Sequence, residues 1–246
     1  MKVTGKTDVG KVRNSNQDSF ACGELPGGAA WAVVCDGMGG ANGGGVASTT
    51  AVDVIGRRLR EGYAGGEDPQ AVRALLEDSL LEANRSVFEM ASGEPSLYGM
   101  GTTVVAAVAA PQTGGVHIAH AGDSRAYLID SQGIRQLTRD HSIVQEMLES
   151  GKLTPEEARA HPQKNIITRA LGVEEKLEVD YSETAFEDGA YLLICTDGLS
   201  NHVGEPDIAQ AVRALEPAES CGELIRLANE DGGSDNITVV VIHKSL

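Results

Sequence analysis

The sequence predicts an α+β fold built in layers, and three observations support this prediction. Apolar, β-branched runs typical of strands recur along the chain, and several are joined by short links such as AGDSR. Short links allow antiparallel pairing, whereas parallel pairing would need a long crossover. The helical patterns come in pairs instead of alternating strictly with the strands, which favours an α+β fold over a doubly wound sheet.

Six segments predict strands because they are short, apolar and rich in β-branched residues. They are Ala30–Cys35, Thr102–Ala109, Val116–His120, Ala126–Asp130, Ala190–Cys195 and Ile237–His243.

The predicted helices follow from apolar periodicity and from start signals. The first pattern runs from about Val46 to Leu59, just after a glycine-rich stretch. The second begins at Asp68-Pro69, a favourable N-cap and first-turn pair, and carries an apolar stripe with a period of about 3.6 residues. That stripe consists of Val72, Leu75, Leu76, Leu80, Ala83, Val87 and Met90. Two shorter patterns cover Pro206–Leu215 and Leu224–Asn229.

The stretch from Asp140 to Gly172 is polar and differs from the rest of the chain. Thr154-Pro155 indicates a helix start inside it, and His161-Pro162 indicates a break. Two interpretations stay open at this point: a surface connection, or a flap beside a functional site.

Composition excludes several classes of protein. The 246 residues include 20 Lys and Arg against 36 Asp and Glu, giving a formal net charge of -16. Such a chain repels nucleic acid and anionic membranes, and its spare carboxylates suit hard cations. No run approaches the roughly 18 apolar residues of a membrane helix, and the start is not a signal peptide. The cysteines, Cys22, Cys35, Cys195 and Cys221, form no CxxC pair, so we expect a reduced, cytoplasmic chain.

Several catalytic motifs are absent from the sequence. It contains no GxxxxGK[ST], no GxGxxG, no GxSxG and no HExxH. These absences argue against a P-loop, a dinucleotide site, a nucleophile-elbow hydrolase and a zincin.

Five aspartates occupy one kind of place, at a turn or beside a predicted strand end. They are Asp18, Asp36, Asp123, Asp197 and Asp235. Each alone is typical of a turn, but carboxylates at strand ends can converge on one rim of a sheet. A cluster of unpaired carboxylates needs a cation because the charges repel at low dielectric. Oxygen ligands favour Mg²⁺ or Mn²⁺ over Zn²⁺.

Two further residues support this interpretation. Gly37 follows Asp36, and a glycine there lets the backbone carbonyl approach a metal without a Cβ clash. Arg13 offers a planar guanidinium that matches phosphate oxygens, although a lone arginine is more often a solvated surface residue.

Eight segments in fixed order carry a family resemblance that spans almost the whole chain. They are GKVRNSNQDSF, VVCDGMGG, GMGTTVVAAV, HAGDSRAYLI, LTRDHSIV, HPQKNIITRALG, LLICTDGLSNHV and GGSDNITVVVI. Together they resemble the metal-dependent (type 2C, PPM) Ser/Thr protein phosphatases in their bacterial form. The resemblance implies a four-layer α-β-β-α sandwich of two antiparallel sheets flanked by helix pairs. It also implies one catalytic domain over residues 1–246, with a helical flap insertion at about 140–172.

The resemblance further implies a site with two core Mn²⁺ or Mg²⁺ ions and a third, weaker ion. Asp36 would bridge the core ions, with the Gly37 carbonyl on one of them. Asp197 and Asp235 would hold the other core ion, and Asp123 with Asp197 would hold the third.

The remaining implied roles concern catalysis and substrate. Arg13 would bind the substrate phosphate, and Asp18 would position metal-bound waters. A metal-bridging hydroxide would attack the phosphorus of phosphoserine or phosphothreonine in line. Phosphorylated proteins would be the substrates, and the enzyme would reverse the action of a bacterial Ser/Thr kinase. We expect a monomer by default.

The sequence departs from the family pattern at four positions. Met38 stands where eukaryotic relatives carry His, so a metal-bound water is the predicted general acid. Ala41 and Gly45 replace a His and a Glu that bacterial relatives often carry, and Gln17 replaces a Glu of some eukaryotic relatives. None of these changes removes a predicted aspartate ligand, so we expect activity.

Two other functions stay open on the sequence. An inactive module could bind phosphoproteins without hydrolysing them, but Asp36, Asp197 and Asp235 argue against it. A structural cation-binding domain would have no use for Arg13. His120 and His141 flank motif segments and are secondary candidates for contact with the site.

Overall fold

A first antiparallel sheet is built from five strands. The computed structural model describes residues 1–66, 68–159 and 161–245, without the side chains of Ala41, Asn42 and Arg159. The strands of this sheet are β1 Lys2–Asp8, β7 Arg125–Asp130, β8 Gly133–Gln136, β10 Tyr191–Cys195 and β11 Ile237–His243. Their order across the sheet is β1, β11, β10, β7, β8.

A second antiparallel sheet contains the other six described strands. They are β2 Asp18–Leu25, β3 Ala29–Met38, β4 Gly101–Thr102, β5 Val104–Ala110, β6 Gly115–Ala121 and β9 Asp180–Ala185. The order is β2, β3, β5, β6, β9, and the short β4 pairs with the end of β3.

The helices cover the outer faces of the two sheets and form an excursion between β8 and β9. They are α1 Gly40–Gly62, α2 Pro69–Gly93, α3 Ile143–Glu149, α4 Pro155–Arg159, α5 Asp197–Ser200, α6 Glu205–Ala214 and α7 Pro217–Glu230. None of the helices that the structure describes has the length and hydropathy needed to cross a lipid bilayer.

Three apolar cores separate four layers, as the resemblance implies. Strand alternation divides the side chains: Ala32 and Val34 of β3 join the core between the sheets, whereas Trp31 and Val33 face α1 and α2. A third core packs α6 and α7 on the outer face of the first sheet. The layered sandwich of two antiparallel sheets is therefore confirmed.

The prediction for the first helix was wrong at its start. Helix α1 begins at Gly40, inside the glycine-rich stretch, and not near Val46. A Cβ at Gly44 would lie 2.6 Å from the Gly37 carbonyl oxygen, and one at Gly43 would lie 3.0 Å from the Met100 Cβ. Glycine has a low helix propensity, but here it lets α1 lie directly against β3.

The second helix follows its prediction more closely. Asp68 caps α2, because its side chain accepts a hydrogen bond from the Ala71 N–H at 2.9 Å. The apolar stripe is largely buried, but its last member, Met90, is 40% exposed and lies outside the core.

Candidate metal centre

Strand ends from both sheets meet at one end of the sandwich. Asp36 lies near the end of β3, and Asp18 is its direct partner across the β2–β3 pair. Asp197 follows β10, Asp235 precedes β11, and Asp123 lies between β6 and β7. All except Asp18 line a cleft of about 650 Å³, and Asp18 is buried behind it. The structure thus brings the five predicted aspartates together.

Two glycines allow this close approach. A Cβ at Gly37 would lie 2.6 Å from the Gln17 carbonyl oxygen, and one at Gly198 would lie 1.9 Å from the Asn236 carbonyl oxygen. Each glycine follows one aspartate and contacts the chain beside another. The Asp-Gly pairs therefore serve backbone packing as well as turn formation.

Hydroxyl groups from the opposite sheet hold Asp18. Its Oδ2 accepts hydrogen bonds from Thr196 Oγ1 at 2.9 Å and from Thr238 Oγ1 at 2.7 Å. The Thr7 hydroxyl in turn lies 2.7 Å from that of Thr238. Because Asp18 begins β2 and Thr238 belongs to β11, these bonds join the two sheets at the base of the cleft.

Asn236 joins the loop before β2 to the loop before β11. Its Oδ1 accepts from the Gln17 N–H at 2.8 Å, and its Nδ2 donates to the Val9 and Ser15 carbonyl oxygens at 3.0 Å. Its own N–H donates to Asp235 Oδ1 at 2.8 Å. The side chain of Asn236 therefore fixes the position of Asp235 relative to the loop that carries Arg13 and Gln17.

Burial is the main electrostatic influence on four of these carboxyl groups. It raises the pKa of Asp18 to about 7 and the pKa of Asp123 to about 8. It also raises the pKa of Asp36 and the pKa of Asp197, and neighbouring carboxylates add to each rise.

The oxygen atoms of this cluster fit divalent cations. Oδ1 of Asp18 and Oδ1 of Asp197 are buried and have no hydrogen-bond partner among the described residues. Buried carboxylate oxygens without partners are costly, and a hard cation supplies both the missing charge and the missing contacts. Carboxylates with no thiolate or imidazole among them suit Mn²⁺ or Mg²⁺.

Arg13 is the one cationic side chain among the described residues that line the cleft. Its Nη2 donates to Asp235 Oδ2 at 2.7 Å, and this bond raises the pKa of the Arg13 guanidinium. The arginine side chain is 53% exposed. Arg13 is thus placed at the mouth of the cleft, where its exposed face can meet a phosphate.

The positions that depart from the family pattern lie at or near the cleft. Met38 lines it, and Gln17 lines it while donating from Nε2 to the Gly40 carbonyl oxygen at 2.9 Å. Gly45 lies in α1 and is not among the described lining residues. The side chain at Ala41 lies outside the described part of the structure.

Sequence reasoning missed the polar residues that support the aspartates. Thr103 Oγ1 accepts from the Asp36 N–H at 2.9 Å and lies 2.7 Å from Ser124 Oγ. Asn201 Nδ2 donates to Asp197 Oδ2 at 2.9 Å. The sequence offers one weak indication of these supporting residues: Ser124 directly follows Asp123, and Thr196 directly precedes Asp197.

His120 and His141 do not line the cleft, within the residues described. Their rings stack with a centroid distance of 4.9 Å and an interplanar angle of 4°. With Asp180 they place possible ligand atoms within 4.8 Å of one another. We call these three residues the histidine cluster; neither histidine, a secondary candidate on the sequence, is among the described lining residues of the cleft.

Comparison with known proteins identifies the family. The family model for protein phosphatase 2C matches residues 11–228. The chain belongs to the protein phosphatase 2C family. It is 39% identical over 247 residues to the serine/threonine phosphatase stp of Listeria monocytogenes, covering 100% of this chain and 97% of that protein.

Solved structures agree with this family assignment. The serine/threonine phosphatase of S. agalactiae superposes with a TM-score of 0.90 at 35% identity, covering 98% of each chain. The catalytic domain of the phosphatase PstP, in complex with two manganese ions, gives a TM-score of 0.84 at 34% identity, covering 98% of this chain and 96% of that one.

These comparisons confirm the predicted activity class. The protein is a Ser/Thr phosphoprotein phosphatase of the protein phosphatase 2C type that depends on Mn²⁺ or Mg²⁺. The inactive binding module and the purely structural domain are thereby set aside.

Proposed function

We propose that the carboxylate cluster is the catalytic metal centre of this phosphatase. In this assignment Asp36 and the Gly37 carbonyl hold the core ions together with Asp197 and Asp235. Asp123 completes a third, weaker position. The observation that supports it most directly is the pair of buried, unpartnered oxygens on Asp18 and Asp197 inside a cluster of carboxyl groups with raised pKa values.

The other residues would act on the substrate and on water. Arg13 would exchange its bond with Asp235 for the substrate phosphate, since the cations would then neutralise that carboxylate. Asp18, held by two threonine hydroxyls, would accept a hydrogen bond from water through its free Oδ1. When bound, the divalent ions would lower the pKa of a shared water and neutralise charge on the transferring phosphoryl group.

Met38 cannot protonate the leaving serine or threonine oxygen, because a thioether carries no acidic proton. Water in the cleft is therefore the proposed proton source. This proposal agrees with the place of Met38 in the cleft lining and with the lack of a histidine among the described lining residues.

The biological setting is part of the same proposal. The enzyme would work as a single-domain monomer in the cytoplasm and reverse the action of a bacterial Ser/Thr kinase, with residues 140–172 as a flap beside the site. The four free cysteines suit a reducing compartment. Light scattering would measure the oligomeric state, and dephosphorylation of a phosphorylated kinase domain would test the proposed kinase partner.

Phosphate release from a phosphothreonine peptide tests the metal centre. We expect turnover with Mn²⁺ or Mg²⁺, none with EDTA, and loss in Asp36→Ala. Isothermal calorimetry should show the same variant losing Mn²⁺ binding. Asp53→Ala, an exposed aspartate on α1, is the matched control and should behave as the wild type. A well-folded wild type without turnover in any metal would contradict the proposal.

A further inference from the structure

A second groove leaves the metal cleft along the segment that leads from the excursion into β9. It has a volume of about 530 Å³ and shares Met38 and Ile167 with the lining of the cleft. We call it the side groove; its other apolar lining residues are Ala170, Val173 and Leu177. The shared residues make the side groove continuous with the place where the substrate phosphate would lie.

One part of the side groove is apolar. A Cβ at Gly101 would lie 2.9 Å from the Met38 Cε and 2.8 Å from the Val173 Cγ2, so these two side chains meet above that glycine. Val173, which lines the groove, is 49% exposed. Exposed apolar side chains that line a groove beside a site indicate a binding surface more often than isolated ones do.

The charged rim of the side groove is mixed in sign. It carries the carboxylates of Glu146, Glu174 and Glu178 and the cationic side chains of Arg169 and Lys176. Arg169 is already engaged, with Nη1 2.6 Å from Asp180 Oδ1 and Nη2 3.1 Å from Glu178 Oε2. Three carboxylates against two cations leave only a small excess of negative charge, so the rim suits an uncharged stretch of polypeptide better than a second phosphate.

We propose that the side groove is a subsite for an apolar side chain that flanks the phosphorylated residue of the substrate protein. The inference rests on the proposed function, because it takes the phosphate to lie in the metal cleft. An extended chain advances about 3.3–3.6 Å per residue, so the three residues on either side of the phosphorylated one reach about 10 Å from it, and the proposed occupant is one of them. Because the side groove is continuous with the cleft that would hold the phosphate, the occupant we propose is the substrate itself.

A peptide series measures this preference directly. Phosphothreonine peptides would carry Leu or Ser at each of the three positions on either side, with p-nitrophenyl phosphate as a substrate that cannot reach the groove. We expect Leu at one position to raise kcat/KM about tenfold over Ser, mainly through KM, because burying one aliphatic side chain has an effect of that order.

Substitutions in the side groove test whether it causes the preference for Leu peptides. Val173→Asp should lower the ratio of kcat/KM for the Leu peptide to that for p-nitrophenyl phosphate by about tenfold. Val173→Ser is a milder second variant and should lower that ratio by less. Leu81→Asp, on the exposed face of α2 and 42% exposed, is the matched control and should leave the ratio unchanged.

The outcomes separate the two proposals. Equal kcat/KM for Leu and Ser peptides at every position, or an unchanged ratio in both Val173 variants, would overturn the subsite while leaving the phosphatase intact. Failure of the wild type to release phosphate from either substrate with Mn²⁺ would instead overturn the proposed metal centre.

Discussion

The metal cleft and the histidine cluster both gather possible metal ligands, yet their chemistry differs. In the cleft, buried oxygens of Asp18 and Asp197 have no described partner. In the histidine cluster, His141 Nε2 lies 3.2 Å from Asp180 Oδ2, and Arg169 Nη1 lies 2.6 Å from Asp180 Oδ1. Asp180 is thus already paired with a cation, whereas Oδ1 of Asp18 and Oδ1 of Asp197 have no described partner.

Ring geometry strengthens the difference between the two regions. The lone pair of an imidazole nitrogen lies in the plane of its ring, and the stacked planes of His120 and His141 are nearly parallel. One ion therefore cannot lie along both lone pairs. Although His120 Nδ1 has no described partner, the cluster is a structural junction. Unmet charge, more than the number of ligand atoms, distinguishes a metal site.

Loss of one carboxylate in each region should separate them most strongly. Asp197→Asn should lower kcat by about 10³-fold, because metal-assisted charge stabilisation is worth several kcal/mol. Asp180→Asn should lower kcat by no more than about threefold and keep the Mn²⁺ stoichiometry of the wild type. Steady-state kinetics and calorimetry measure both quantities. A loss of bound Mn²⁺ in Asp180→Asn would show that the histidine cluster is a metal site after all.

The hydroxyl groups behind the cleft should have the next largest effect. Thr238→Val removes a donor to Asp18 Oδ2 while keeping the side-chain shape, and we expect activity to fall about tenfold, as for other groups that orient metal ligands. The Mn²⁺ concentration for half-maximal activity should rise with it. Thr184→Val, on β9 away from the cleft, is the control for the substitution itself. Unchanged Mn²⁺ dependence in Thr238→Val would limit its role to packing.

The sequence predicted the centre of the fold better than its edges. The six predicted strands are the inner strands, whereas β1, β2, β8 and β9, which were not predicted, are the edge strands of the two sheets. Edge strands are partly exposed, so β1 and β9 mix polar and apolar residues without a clear period. Inner strands are covered on both faces and are recognisable as continuous apolar runs.

The same reasoning explains which parts of the site could be predicted. The aspartates interrupt apolar runs and belong to ordered motifs, so they stand out. Thr238 is an ordinary strand residue in sequence and Thr196 directly follows a strand, and only the packing of two sheets shows that both reach Asp18. Contacts between segments some 40 to 220 residues apart, such as these, have no local signature.

The pH dependence of stability also distinguishes the two regions, because the carboxyl pKa values in the cleft are raised and the histidine pKa values in the cluster are lowered. Burial raises the pKa of Asp18 from 3.8 to about 7 and the pKa of Asp123 from 3.8 to about 8. Between pH 3.8 and these values, the folded, metal-free protein therefore binds more protons than the unfolded chain. The contribution of these carboxyl groups to stability falls as pH rises through that window. Burial lowers the pKa of His120 and the pKa of His141, so their contribution falls only as pH drops below 6.5.

Between pH 6.5 and 8 the carboxyl groups, and not the histidines, should determine how stability changes with pH. In EDTA the melting temperature should fall by several degrees across this range, and Asp123→Asn should reduce the fall. Saturating Mn²⁺ should remove it, because the ions take the place of the protons. Thermal melts at half-unit steps of pH would measure this, and a melting temperature that rises with pH in EDTA would contradict the assignment.

The smallest expected effect lies where the two regions touch. His141 Nδ1 accepts a hydrogen bond from the Gly122 N–H at 3.0 Å. Gly122 directly precedes Asp123, so this bond ties the histidine cluster to the proposed third metal position. His141→Asn should supply an acceptor of similar reach, whereas His141→Leu supplies none. Both variants should unfold at a lower temperature because the ring stack is lost. Only His141→Leu should raise the Mn²⁺ concentration for half-maximal activity, by about threefold, since a misplaced loop weakens one ligand of several. Equal Mn²⁺ curves for the two variants would mean that the cluster supports the fold without reaching the metal centre.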